Sequence, residues 1–288
     1  MTTAELAAPA CAITAETALS ADANVLTHFA ARALRAAAAS WFAVAASGQL
    51  IFLVYVAIVY GGAAATGHLE RWNKALPHGY VAGDSIGNFA VAMHLALAVI
   101  VTLSGALQLI PAIRRLWPAF HRWNGRTYLT CVVTTSVAGL YMVWIRGGTV
   151  GDLSQNIGIT LDALLIIAFA WLAYRHARAR RIAQHRPWAL RLFLAANGVW
   201  FFRIGLALWL VVNQAPVGFD PKTFTGPFLT LLAFADYLLP LAVLEGYLRA
   251  QRAGAQLQLA MTAALAALTL ATAAGVAAAM LILWLPRM

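Results

Sequence analysis

Seven long apolar stretches fill most of the chain. Each is close to the roughly 20 residues that a helix needs to cross the hydrocarbon core of a bilayer. Lipid offers no partner to backbone N–H and C=O groups, so a segment that crosses it must satisfy them internally, as a helix does. The pattern therefore predicts an all-α integral membrane protein, a polytopic bundle of about seven transmembrane helices. The predicted spans are residues 41–61, 89–110, 127–146, 157–174, 189–213, 228–248 and 259–285.

The basic residues sort to alternate connecting segments, which predicts an orientation. Of the 20 Lys and Arg residues, 14 lie in one set of segments and five in the other. The positive-inside rule then places the N-terminus in the cytoplasm and the C-terminus on the far side. The 14 are Arg32, Arg35, Arg114, Arg115, Arg122, Arg126, Arg175, Arg178, Arg180, Arg181, Arg186, Arg191, Arg249 and Arg252, and the five are Arg71, Lys74, Arg146, Lys222 and Arg287.

Composition agrees with a membrane protein and excludes an ordinary soluble domain. The chain is 62% hydrophobic and 10% charged, and its net charge of +10 comes from short clusters beside the spans. Such clusters suit topology and anionic lipid headgroups rather than nucleic acid. The two cysteines, Cys11 and Cys131, form neither a disulfide framework nor a metal-ligand spacing. We expect residues 1–40 to be a cytoplasmic tail, disordered to about residue 22 and then amphipathic, and residues 41–288 to form a single membrane domain.

A run of residues from the second span to the fifth resembles a known family. The resemblance rests on two sets of residues, of which the first is His94, Gly105, Gln108, Pro111 and Arg114. Together the two sets are similar to the uncharacterised bacterial family of predicted membrane proteins called domain of unknown function 2306. The resemblance covers about residues 65–250 and implies a bacterial cytoplasmic membrane, with no established activity. The second set is His121-Arg122-Trp123, Gly125-Arg126, Tyr128, His185-Arg186, Trp188, Arg191 and Arg203.

Ionisable residues inside the predicted spans form the first candidate site. Counted inward from the span ends at 1.5 Å per residue, His94, Asp162, Arg203 and Asp236 fall at about the same depth, in the outer half of the membrane. Gln108 lies on the same stripe of the second span as His94. An ionisable group is costly in lipid and calls for a partner. The predicted intramembrane polar site is therefore His94, Gln108, Asp162, Arg203 and Asp236.

Two interpretations of this layer remain open from the sequence. In one, Arg203 and Asp236 form a structural ion pair, and His94 bonds a neighbouring backbone group or Asp162. In the other, the layer is a proton relay or a binding site, as in a transporter. Ionisable residues within the membrane favour the functional interpretation by default.

A second candidate site lies at the cytoplasmic ends of the third and fifth spans. His121 and His185 each stand beside arginines near a helix N-terminus, which attracts anions. Simple interfacial anchoring, or contact with an anionic lipid headgroup, accounts for such a set. The residues are His121, Arg122, Arg126, His185, Arg186 and Arg191.

Haem b is the alternative ligand for these histidines, because imidazoles from two helices can hold haem iron axially. The arrangement would be similar to that of the cytochrome b561 group. Pro118 and Pro187 suit first helical turns, which places His121 inside its helix and His185 just before its own. His94 has no histidine partner on the fourth span, which weakens a second haem.

The sequence leaves three functions open. Transport or proton handling through the intramembrane polar site leads, followed by a haem- or quinone-linked redox subunit. The third is a non-catalytic membrane protein that recruits a partner, either another copy or another membrane protein, through its basic loops. Motifs for nucleotide binding, metalloproteases and serine hydrolases are missing from the sequence, so whether the protein is an enzyme is left undecided.

Overall fold

A computed structural model describes residues 7–147 and 151–288, with side chains from Val25 onwards. All regular elements in these residues are helices, which confirms the predicted all-α class. The α-helices are α1 Ala7–Val56, α2 Gly62–Ala65, α3 Ser85–Leu109, α4 Pro111–Leu116, α5 Pro118–Tyr141, α6 Leu153–Arg178, α7 Ile182–Ala195, α8 Gly198–Asn213, α9 Pro227–Ala250 and α10 Ala255–Ala279.

Three of the helices end in a wider π-helical turn. Ala57–Gly61 follows α1, Met142–Arg146 follows α5, and Met280–Trp284 follows α10. Six continuous helices of the described residues are long and apolar enough to cross a membrane. The pair α7 and α8 would complete a seventh span. The protein is therefore a multi-pass membrane protein, as the hydropathy pattern predicts.

The outer faces of these helices are apolar and lie against lipid. In each of the six candidate spans, between 22% and 28% of the most apolar stretch is buried inside the protein. Large side chains such as Trp171, Leu231 and Leu270 are exposed. A soluble protein rarely presents so much apolar surface. Contact with the hydrocarbon core of a bilayer accounts for it.

The structure corrects two expectations about where helices lie. Helix α1 begins at Ala7, so residues 7–22 are helical where the sequence predicted disorder. Alanine, the strongest helix former, dominates that segment. The predicted fifth span is also not one helix, because α7 and α8 meet at a bend of 49° at Ala196 and Asn197.

The larger of two compact units comprises Ala45–Leu244 and Thr272–Met288. Helices α3, α5, α6 and α7 pack together in it. Their shared core is an apolar cluster in which the Tyr128 ring is the largest member. The cluster consists of Val101, Tyr128, Cys131, Val132, Ile166, Ala170, Leu192 and Ala195.

The smaller unit comprises the described part of residues 1–44 together with Glu245–Ala271. In it, the end of α9 turns into α10 through a short connection. Gly246 of α9 faces Met261 of α10, where a Cβ atom would be in ordinary contact with the methionine sulfur at 3.6 Å. The Gln258 side chain donates a hydrogen bond of 3.0 Å to the Ala253 carbonyl, which fixes the first turn of α10.

An ion pair ties the start of α3 to the end of the α5 span. Asp84 is the N-cap of α3 and accepts a hydrogen bond of 2.8 Å from the Gly87 N–H. Its other oxygen lies 2.8 Å from Nε of Arg146. Arg146 also donates to the Asn88 side chain at 3.0 Å. The Arg146 hydrogen bond, followed by the Gly87 N–H, lowers the pKa of the Asp84 carboxyl.

We predict that this pair gives the protein a pH-dependent component of stability. The folded pKa of Asp84 is below its unfolded value, so the contribution is present above the ordinary Asp pKa of about 4 and is lost as the pH falls through the folded value. Asp84→Asn keeps a good N-cap but removes the charge. Its melting temperature in detergent should therefore fall less between pH 5 and pH 3 than that of the unaltered protein. Parallel melting curves for the two proteins would contradict the assignment.

Candidate functional site

The four ionisable residues of the predicted layer lie at equal positions along their helices. His94, Asp162 and Asp236 are each nine residues after the first residue of α3, α6 and α9. Arg203 is ten residues before the last residue of α8. At 1.5 Å per residue these offsets correspond to about 14–15 Å from the helix ends. Equal offsets from the helix ends are what residues at one depth in a membrane would show.

Helices α6 and α9 run parallel and approach closely just before the two aspartates. The hydroxyl oxygens of Ser154 and Thr230 are 3.0 Å apart near the helix starts. One turn later, a Cβ atom on Gly158 would lie 2.8 Å from the Ala233 carbonyl oxygen. A side chain at residue 158 would therefore collide with backbone. Glycine at that position lets the two helices approach until their next turns bring two carboxyl groups together.

The carboxyl groups of Asp162 and Asp236 converge on Gly198. A Cβ atom built on this buried glycine would lie 2.9 Å from Oδ2 of Asp162 and 3.7 Å from Cγ of Asp236. Both carboxyl groups therefore lie beside the same glycine. In the part of the chain that the structure describes, Oδ1 of each aspartate is buried and has no hydrogen-bond partner.

Gly198 is the first residue of α8, so the carboxyl pair lies at a break in a transmembrane helix. The buried Asn197 precedes Gly198. Its side-chain N–H donates a hydrogen bond of 2.7 Å to the Phe193 carbonyl near the end of α7. The first N–H groups of α8 have no intrahelical acceptor and carry partial positive charge. Discontinuous helices of this kind form the ion and substrate sites of many transporters.

Tyr237 is a neighbour of the pair that the sequence analysis missed. Its side chain is 1% exposed, and it directly follows Asp236 in α9. An aromatic residue inside an apolar span carries no distinctive sequence signal. The break between α7 and α8 did carry a sequence signal, because Asn197-Gly198 is an Asn-Gly dipeptide, which is common in turns.

Arg203 does not join this pair. The structural ion pair with Asp236, one of the two interpretations that the sequence left open, is not formed among the described residues. The Arg203 side chain donates instead to the Val199 carbonyl at 3.1 Å and lies 5.2 Å from the centre of the Phe52 ring. Arg203 follows Gly198 by five residues, which at about 100° per residue places it about 140° around the helix. The two groups therefore face different neighbours.

His94 and Gln108 are also separated from the carboxyl pair. Nδ1 of His94 lies 3.1 Å from the Thr135 carbonyl, and its ring is in contact with the position of Gly139. The backbone bond is one of the two partners that the sequence left open for His94. Gln108 lies 14 residues after His94 along α3. Its side-chain amide donates a hydrogen bond of 3.0 Å to the carbonyl of His121. Gln108 therefore belongs to the second candidate site rather than to the layer.

The second candidate site has histidines with different environments. Nδ1 of His185 lies 2.9 Å from the Ala173 carbonyl, whereas Nδ1 of His121 is buried and unpartnered among the described residues. His176 likewise has a buried, unpartnered Nδ1, and the sequence analysis did not select it. His185 lies within α7, because that helix begins at Ile182. The prediction that it precedes its helix is wrong.

The arginines of this second site lie mainly at the surface, beside tryptophan rings. The guanidinium of Arg126 is 4.7 Å from the centre of the Trp123 ring, and that of Arg191 is 4.4 Å from Trp188. Arg122 and Arg186 are exposed. Arginine stacked on tryptophan is typical of the boundary between lipid and water. This geometry favours anchoring over catalysis.

The residues around His121 and His185 do not fit haem. The Ala173 carbonyl would orient His185 suitably, since a ligating imidazole usually donates its other N–H. Tyr128, Leu192 and their neighbours, however, fill the space between α5 and α7 with close packing. A cleft of about 350 Å³ in the described structure lies elsewhere, between the end of α1 and α3.

Comparisons with known proteins give one family and nothing more specific. The model of a family described as predicted membrane protein (DUF2306) matches residues 91–239, just over half of the 288 residues. The match lies inside residues 65–250 and includes both candidate sites. No curated protein and no solved structure matches the chain.

We predict that Gly158→Ala destabilises the protein, because the new methyl group meets the backbone of Ala233. Overpacking of this kind costs about 1–3 kcal/mol, so the melting temperature in detergent should fall by several degrees. Gly62→Ala is the matched control. Its Cβ meets nothing within 4 Å, and alanine is the better helix former. Equal melting temperatures for the two variants would contradict the close approach of α6 and α9.

Proposed function

The chain belongs to the DUF2306 family of predicted membrane proteins, and on that premise we propose that it moves protons or a small cation through the carboxyl pair Asp162 and Asp236. The single observation that carries this proposal is the meeting of the two carboxyl groups at the break between α7 and α8. Neither has a basic partner in the described residues, where the ion pairs are His68 with Glu70 and Arg146 with Asp84.

Electrostatics requires such a pair to take up a positive charge. Two carboxylates side by side in a medium of low dielectric repel each other strongly, and each also loses its hydration. The unpartnered Oδ1 atoms of Asp162 and Asp236 have no donor to offset this cost. The pair is therefore held together most easily by a shared proton or by a bound cation. Release and uptake of that charge on opposite sides would constitute transport.

The helix break supplies the remaining groups that such a site needs. The N-terminus of α8 stabilises negative charge at Gly198 while the site is empty. Of the last carbonyl groups of α7, those of Leu192, Phe193 and Leu194 already accept hydrogen bonds. That leaves the Ala195 carbonyl, at the break itself, as the α7 group that can coordinate a cation. Breaking the helix thus places donors and acceptors at mid-span without exposing unsatisfied backbone to lipid. A redox role through His121 and His185, and a role as a non-catalytic partner, stay hypotheses from the sequence alone.

The test is ion flux in liposomes that contain the purified full chain. A potassium diffusion potential drives protons inwards, and a trapped pH dye reports them. A parallel experiment imposes a sodium gradient. We predict that Asp162→Asn and Asp236→Asn each reduce the flux at least about tenfold, because an amide cannot exchange a proton and binds cations weakly.

Asp220→Asn is the matched control, because this aspartate lies in an exposed loop and an asparagine can still accept the 2.8 Å hydrogen bond from the Lys222 N–H. Its flux should equal that of the unaltered protein. Flux that survives both intramembrane substitutions at the control level would overturn the proposal.

A further inference from the structure

Arg203 is a cation in the apolar layer without an acidic partner. Among the described residues, its guanidinium donates one hydrogen bond, to the Val199 carbonyl. A guanidinium has five N–H donors in a planar fork, so most of its capacity is unused. Charged side chains inside membranes usually pair with an opposite charge. No residue in the described structure therefore supplies the negative charge with which Arg203 would be expected to pair.

The groups around Arg203 add positive charge or are neutral. Its electrostatic neighbours are the hydroxyls of Tyr60 and Tyr55 and the guanidinium of Arg287, which repels it. Arg287 is itself held by a hydrogen bond of 2.6 Å to the Leu283 carbonyl. No carboxylate is paired with Arg203 in the described structure.

Aromatic rings form one wall beside this cationic group. Phe52 lies under the guanidinium, and the Phe52 and Trp284 ring centres are 5.4 Å apart. Tyr55 lies 6.2 Å from Trp284 and 6.3 Å from Tyr60, measured between ring centres. Aromatic faces attract a cation weakly, but they cannot replace a counter-ion. They do provide a flat apolar surface for the body of a ligand.

A cleft adjoins this wall, with Tyr60 belonging to both. The cleft has a volume of about 350 Å³ and is lined by the end of α1, Trp72 and the apolar side chains of α3, among them Phe89, Ala92 and Val99. The π-helical turn Ala57–Gly61 shapes one side of it. Ligand sites commonly enclose about 300–1,000 Å³. This volume suits one slender apolar chain rather than a lipid with two chains.

We infer that Arg203 binds the carboxylate of an amphipathic organic anion whose apolar chain lies along Tyr60 in the cleft. The planar fork of arginine matches a carboxylate with two parallel hydrogen bonds. That the anion is the transported solute rests on the proposed function, with the charge taken up by Asp162 and Asp236 as its coupling ion. Binding of the anion does not depend on transport.

The test is binding of decanoate to the full chain in a neutral detergent, measured by calorimetry. We expect saturable binding by the unaltered protein and a loss of at least about tenfold in affinity for Arg203→Gln, as for other charge-assisted pairs. Arg203→Lys should retain part of the affinity, because it keeps the charge without the fork. Arg178→Gln is the matched control, since Arg178 is also an arginine over an aromatic ring, that of Tyr174, and it should bind as the unaltered protein does.

The cleft is tested separately by chain length. Affinity should rise from hexanoate to decanoate in the unaltered protein, because each further CH₂ leaves water. Ala92→Phe places a ring in the cleft and should remove that rise. Equal decanoate binding by Arg203→Gln and Arg178→Gln, or a rise that persists in Ala92→Phe, would overturn the inference. So would phosphatidylglycerol in nanodiscs competing as well as decanoate, because the ligand would then be a lipid phosphate.

Failure of this inference can be told apart from failure of the proposed function. If Asp162→Asn keeps its proton flux while Arg203→Gln loses decanoate binding, the anion site stands and the carboxyl pair is not the transport site. If Asp162→Asn loses its flux and Arg203→Gln binds decanoate normally, the opposite holds. Size-exclusion elution at the position of the unaltered protein establishes that each variant is folded.

Discussion

The close approach of α6 and α9 at Gly158 is the contact on which the candidate site depends. A backbone carbonyl of one helix occupies the place where a side chain of the other would lie. Close packing of small residues is a main source of helix association in lipid, where the hydrophobic effect does not act between helices. Here the same contact places Asp162 and Asp236 side by side one turn later. Packing energy thus offsets the cost of bringing two like-charged groups together.

Helix α8 separates opposite charges onto different sides of the protein. Its first residue, Gly198, meets the carboxyl pair, and Arg203 faces the aromatic wall at Phe52. Had Arg203 turned towards Asp236, the two charges would have neutralised each other as a structural pair. Because they do not meet, each side is left able to take an ion of the opposite sign. A movement of α8 would affect both sites together, which is the requirement for coupled transport.

Hydropathy predicts the number and places of the spans because the energetic demand of lipid acts on every residue of a span. The break at Ala196 and Asn197 interrupts only two residues, so a pattern averaged over a whole span does not reveal it. The depth of each ionisable residue follows from counting residues along its span, and it stays a prediction. Which side of the bundle each group faces was not predictable, because it depends on helix packing. Arg203 shares its predicted depth with the other ionisable residues, and Gln108 shares a helix stripe with His94. Both nevertheless contact partners outside the predicted site.

The most direct measurement is cysteine cross-linking in the membrane. In a background with Cys11→Ser and Cys131→Ala, the pair Asp162→Cys with Asp236→Cys is compared with the pair Arg203→Cys with Asp236→Cys, using a short bifunctional thiol reagent. The account predicts a cross-link between residues 162 and 236, detectable after cleavage of the chain between α6 and α9, and none between residues 203 and 236. The reverse result would show that Arg203 neutralises Asp236 and that the carboxyl pair does not exist.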